Sequence, residues 1–175
     1  MKTISAFAFA LSLLVSGYSF AAAPALHVAK TVTINADAVK VWDVVKNFDG
    51  LNTWHPAVAK DEIVSGTNNK VGAVRLLTLK DGGTIKEKLL VYSADAHQFK
   101  YSILEGVLPV SSYTSNFVVK SAGKGKSNVT WSGNFKRKDV GAKPADNAND
   151  KTATDTMSAV YQAGLDNLKK MVEAK

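Results

Sequence analysis

The sequence contains no cysteine. Disulfides, cysteine-based metal centres and thiol nucleophiles are thereby excluded, so stability in an oxidising compartment has to come from packing. Histidine is scarce as well, with three residues, His27, His55 and His97. They show no paired spacing of the kind a zinc site uses, and no metal or other cofactor is expected. Nucleophile-elbow, phosphate-loop and dinucleotide-binding motifs are missing, which removes the usual signatures of hydrolases, nucleotide-driven enzymes and nicotinamide enzymes. Beyond Leu26 no apolar run approaches the roughly 20 residues needed to span a bilayer.

What is present begins with Met1 and Lys2, followed by a stretch without charge from Thr3 to Leu26, apolar at Ile4 to Tyr18 and small at Ser19 to Ala23. This is the three-part pattern of a secretory signal peptide. Ser19 and Ala21 suit the two small positions before a signal-peptidase cut, so cleavage after Ala21 is expected. Residues 1–21 then form the signal peptide and residues 22–175 one mature domain, periplasmic or secreted. The competing reading, an uncleaved anchor, needs a longer and more apolar segment than this one, which is rich in Ala and Ser; no stable membrane insertion is expected after cleavage.

The net charge is +7, and cleavage removes only Lys2 from it. The basic residues are dispersed: Lys136, Arg137 and Lys138 at one strand end, Lys124 and Lys126 in a turn, Lys169 and Lys170 on a helix. Such dispersal describes a solvated basic surface, and no nucleic-acid partner is expected.

Alternation from Leu26 to Ile34 predicts a first strand. Asn35 or Asp37 offers a cap for a helix over Ala38 to Phe48, whose Val41, Val44, Val45 and Phe48 share one face. Asp49-Gly50 ends it, and Leu51 to Pro56 makes a short helical turn stopped by proline. Six strands follow, separated by turns: Val58–Ser65, Ala73–Leu79, Thr84–Ala94, Phe99–Glu105, Ser111–Ser121 and Asn128–Lys138. Tight turns between consecutive strands force antiparallel pairing. A loop to about Asp150 leads into a long helix with Met157, Val160, Tyr161, Gly164, Leu165, Leu168, Met171 and Val172 at steps of three and four. The expected fold is α+β: a seven-stranded curved antiparallel sheet, two short helices, and a long C-terminal helix that leaves a cavity between itself and the sheet.

In this order the residues resemble the START-like, helix-grip superfamily, within it the polyketide cyclase/dehydrase type also called SRPBCC. The resemblance runs from about Val28 to Val172. Its landmarks are Val41-Trp42 through Trp54-His55-Pro56, Gly72 to Arg75, Glu87-Lys88-Leu89, Tyr101 to Val110, Tyr113, and Val129-Thr130-Trp131 ending at Phe135. With a signal peptide added, the chain is also similar to periplasmic MxaD-type proteins associated with methanol oxidation. The resemblance implies a hydrophobic cavity for lipids, polyketides, aromatic compounds or hormones, used for binding and in some members for catalysis. It carries no single catalytic motif.

Strand alternation assigns faces. In the hairpin around Asp81-Gly82-Gly83, Arg75, Leu77, Leu79, Ile85, Glu87, Leu89 and Val91 fall on one face, and Lys80, Lys86 and Lys88 on the other. The first face is the inner one, so Arg75 and Glu87 become partners across the hairpin, either as an ion pair at the cavity rim or as a polar anchor for a ligand carbonyl or carboxylate. Tyr101, Ile103 and Glu105 fall together on the next strand, with Glu105 at the rim; Tyr113 and Phe117, then Trp131, follow on the two after it. Trp54-His55 and, opposite, Leu108-Pro109-Val110 are the candidate lips of the mouth, and Tyr161 faces it from the long helix.

Three functions fit: a binding or carrier protein for a small hydrophobic or aromatic ligand, an accessory protein docking on a periplasmic dehydrogenase, or a cyclase- or hydrolase-type enzyme using His55, Glu87 or Tyr113.

Overall fold

The computed structural model describes residues 23–174. The expected signal peptide and its expected cleavage site lie outside the described residues. Strand β1 (Leu26–Ile34) precedes helix α1 (Ala38–Val45) and a 3₁₀ turn at Leu51–Thr53. Strands β2 (Val58–Ser65), β3 (Val74–Leu79), β4 (Thr84–Ser93), β5 (Gln98–Gly106), β6 (Val110–Ser121) and β7 (Ser127–Arg137) come next, and helix α2 (Asp150–Glu173) ends the fold. The sheet order is β1-β7-β6-β5-β4-β3-β2, antiparallel throughout. This is the expected α+β architecture of a curved seven-stranded sheet gripped by a long C-terminal helix.

Helix α1 is shorter than its apolar pattern predicts. It ends at Val45, and Phe48 is buried from the turn that follows, where its N–H donates to Asn69 Oδ1 at 2.9 Å. Asp37 occupies the N-cap position, where its carbonyl accepts from Val41 N–H but its side chain makes no capping bond; its Oδ1 accepts from Gly125 N–H at 3.0 Å and ties the start of α1 to the β6–β7 turn. Helix α2 has the orthodox cap: Asn149 accepts from Thr152 N–H. One stripe of α2 is buried, from Ala153 through Met157, Tyr161, Gly164, Leu165 and Leu168 to Val172.

One helix, about 10 Å across with its side chains, cannot cover a sheet of seven strands set about 4.8 Å apart. Helix α2 packs on β1 and β7. The 3₁₀ turn sits on β2. Between these two covers the inner faces of β3, β4 and β5 are left to side chains alone, and there the fold encloses a chamber.

Two bulges in the β4–β5 pair break the alternation. Leu90 is the extra residue on β4 and Leu104 the extra residue on β5. Beyond each bulge the side chains exchange faces, because the strand period is two. Val91, expected inside, is therefore exposed opposite Lys100, while Tyr92 turns in opposite Phe99. Glu105, also expected on the inner face, is exposed and pairs with Lys86 on the outside of the sheet.

Candidate functional site

The chamber has a volume of about 70 Å³. Its floor is formed by the buried residues Leu77, Ile85, Glu87, Tyr101, Tyr113 and Trp131 of the sheet, closed from above by Met157 and Tyr161 of α2. Its margin is formed by the part-exposed Leu79, Ile103, Leu108 and Val160 together with the exposed Ala57. The rise in exposure from floor to margin places the mouth between the start of β2, the ends of β3 and β5, the β5–β6 loop and α2. The lining is almost wholly apolar; among the described residues Glu87 is its one carboxyl group and the imidazole of His55 its one ring base.

Arg75 does not face the chamber. It lies behind Glu87, only 2 % exposed, so the pair is a buried one and not an ion pair at the rim. Its Nε and Nη2 both donate to Glu87 Oε2, at 2.8 and 2.6 Å. Nη1 donates to the Phe48 carbonyl and, at 3.3 Å, to Asp61 Oδ2. The guanidinium also stands 4.2 Å from the Phe48 ring centre and 5.3 Å from that of Tyr101. One cation thus serves two carboxylates, and Asp61 Oδ1 is left without a hydrogen-bond partner. Burial raises the pKa of both Glu87 and Asp61, against the lowering influence of Arg75. Sequence patterning missed Asp61. Plain alternation from Val58 puts Asp61 outside, and only the bulge at Ala59 brings Asp61 and Ile63 to the inner side of β2 with Val58.

His55 is held at both nitrogens. Nδ1 accepts from Ala57 N–H at 3.2 Å, which leaves the proton on Nε2, and Nε2 donates to the Val160 carbonyl at 3.0 Å. The ring fastens the segment after the 3₁₀ turn to α2, and neither nitrogen is free to move a substrate proton. Burial lowers its pKa, outweighing the Val160 bond. A pH titration of the imidazole C–H resonances is expected to show His55 below the ordinary value of about 6.5. The sign follows: neutral His55 supports the folded state above that value, and its contribution is lost as pH falls through it.

The hydroxyls at the floor are likewise committed. Tyr113 and Tyr161 share a hydrogen bond of 2.5 Å, and Trp131 Nε1 donates to Tyr101 Oη and Ser115 Oγ at 2.9 and 3.0 Å. Burial raises all three phenols, Tyr101 to about 12. They remain protonated throughout the physiological range. Two glycines make this packing possible. A methyl at Gly133 would lie 2.2 Å from Tyr161 Oη, and one at Gly164 would lie 2.6 Å from His55 Cδ2 and 2.9 Å from the Trp131 ring.

Of the residues singled out from the sequence, His55, Leu77, Glu87, Tyr101, Ile103, Tyr113, Trp131 and Tyr161 line the chamber. Arg75, Leu89, Trp54 and Phe117 are buried around it without lining it; Trp54 packs on Phe117 and Trp131, with ring centres 5.5 and 5.7 Å apart. Trp54 is thus a core residue, not a lip. Pro109 is half-buried beside the mouth, where Leu108 supplies the lining side chain. Glu105 lies outside, for the reason given by the bulge. Ala57 and Val58 line the chamber without having been singled out; Pro56, which turns the chain back toward the sheet, was the available signal.

A helix-grip fold around an apolar chamber defines a class, the cavity proteins of the START-like (SRPBCC) superfamily. Residues 25–173 match the family described as polyketide cyclase / dehydrase and lipid transport. The chain belongs to that family. Among solved structures, XoxI from Bacillus cereus is 28% identical, with a TM-score of 0.73 over 83% of this chain and 94% of that one. A protein from Nitrosospira multiformis is 25% identical, with a TM-score of 0.69 over 83% of this chain and 94% of its own. An aromatase/cyclase from Streptomyces sp. R1128, at 19% identity and a TM-score of 0.67 over 86% and 94% of the two chains, shares the fold. No curated protein matches.

Proposed function

We propose that this protein is an exported binding or carrier protein for a small hydrophobic or aromatic ligand, held in the chamber over β3, β4 and β5. The observation that carries the reading is the chamber itself: apolar walls closed by α2, with His55 bonded to backbone, Tyr113 to Tyr161, and Tyr101 to the Trp131 indole. A site built that way supplies burial rather than proton transfer. Its volume of about 70 Å³ is below the roughly 300–1,000 Å³ of an ordinary ligand pocket, so the ligand is slender or only its end enters. Export rests on the composition of residues 1–21. Protein isolated from its own compartment, denatured and extracted, is expected to release one apolar compound in stoichiometric amount by mass spectrometry. An empty extract contradicts the carrier reading.

A second reading, an accessory protein docking on a periplasmic dehydrogenase as MxaD-type proteins do, is favoured by the net charge of +7 and by the exposed Val39, Val64 and Val71. It predicts an acidic enzyme that co-purifies at low ionic strength and is released by salt.

A further inference from the structure

The sheet splits beside the chamber. Strands β5 and β6 pair from Gln98↔Val118 to Ser102↔Thr114 and no further. Past that point β5 stays with β4 as far as Gly106↔Ile85, while Val110 and Ser111 at the start of β6 pair with β7. Ser112 stands where the arms diverge, in the left-handed region at φ 49°, and the β6–β7 register slips between Ser111 and Thr114. A non-glycine residue held there is strained. Strain of this kind clusters at ligand clamps and active sites.

The split contains a groove of about 370 Å³ bordered by Leu104, Ser111, Ser112 and Lys138. Ile103, Leu108 and Tyr113 border both the groove and the chamber. These side chains are the partition between the two spaces. The loop that carries Leu108 is fixed on either side, by Val107 N–H to the Thr84 carbonyl at 3.1 Å and by Lys138 N–H to the Pro109 carbonyl at 3.0 Å. With the loop fixed on both sides, only the side chains of the partition separate the two spaces.

We propose that chamber and groove are two halves of one binding site, whose ligand class is a slender amphiphile with an apolar end in the chamber and an anionic end at Lys138. The inference rests on the carrier reading above. At about 70 Å³ the chamber is well below the roughly 300–1,000 Å³ of an ordinary ligand pocket, so most of a ligand lies outside it. An anion at its floor would be desolvated beside the Glu87 carboxylate. The groove offers the reverse chemistry: the exposed Lys138 ammonium spends one hydrogen bond, 3.1 Å long, on the Gly106 carbonyl, and an ammonium has three donors. The neighbouring acid, Glu105, is neutralised by Lys86.

The test is a titration of the mature protein with octanoate and with 1-octanol, followed by the fluorescence of Trp131 in the chamber wall. The wild type is expected to bind octanoate more tightly than octanol. Lys138→Glu is expected to lower the octanoate-to-octanol affinity ratio about tenfold, the worth of a hydrogen bond to a charged group. Leu108→Trp, which fills the partition, is expected to weaken both probes. An unchanged ratio in Lys138→Glu, or a wild type that binds octanol but not octanoate, overturns the amphiphile inference and leaves the carrier reading standing. A wild type that binds neither probe also overturns the amphiphile inference, and the carrier reading is then decided by the extracted compound.

Discussion

Replacing Arg75 with methionine is expected to destabilise the fold by about 3–5 kcal/mol at neutral pH, the cost of stranding buried charges without their partner. Arg75 is the only cation within reach of Glu87 and Asp61 among the described residues, and both carboxylates are buried. Methionine fills the stem volume, so the loss reports charge and not a cavity. The pH dependence distinguishes the two. With Arg75 gone, both carboxyl groups have folded-state pKa values raised still further above their unfolded ones. The folded state then binds more protons than the unfolded state, and stability rises as pH falls through that window. His55 titrates in both proteins and largely cancels in the difference. Urea midpoints of wild type and variant at pH 7 and pH 5 are expected to differ less at the lower pH. An equal gap at the two values contradicts the buried-charge account.

The second large effect is expected at Gly164. Alanine in a helix is ordinarily more favourable than glycine by about 0.8–1.0 kcal/mol, so the propensity scale alone predicts stabilisation. Here the added methyl meets two rings that cannot retreat, His55 at 2.6 Å and Trp131 at 2.9 Å. Overpacking of this kind costs about 1–3 kcal/mol, enough to reverse the sign. Gly133→Ala acts through the other end of the same contact, pushing Tyr161 Oη from its 2.5 Å bond to Tyr113. Chemical denaturation is expected to show both variants less stable than wild type. Because the methyl at Gly133 collides with a hydroxyl, its loss should be smaller in a Tyr161→Phe background, a coupling that a double-mutant cycle measures.

The sequence carried the architecture because every element announced itself locally. Alternation, hairpin turns and the stripe Met157 to Val172 each have a period that a reader can count, and the strands fall within a residue or two of their expected limits. Inner and outer faces were legible as far as the period lasted. The single extra residues at Leu90 and Leu104 carry no signature in composition, yet each reverses the faces beyond it, and Glu105 moved outside for that reason. The Arg75–Glu87 pair could be read from hairpin register; its burial could not, since that depends on Phe48 and Asp61 arriving from elsewhere in the chain. Arg137 escaped notice altogether. It appeared as one of three basic residues at a strand end, and it is instead a buried organiser of the loop before α2, bound to Asp150 and to the carbonyls of Asp139 and Gly141. His55 lines the chamber, and only the two bonds to its ring reveal that it straps the segment after the 3₁₀ turn to α2.

Methyl-resolved NMR of the protein titrated with 1-octanol tests the central claim most directly. Saturable shifts are expected at Leu77, Ile85, Ile103, Leu108 and Met157, which line the chamber, with Val64 and Val71 on the outside unmoved. Shifts scattered over the outer surface, or none at the chamber methyls, would contradict a ligand site between the sheet and its gripping helix.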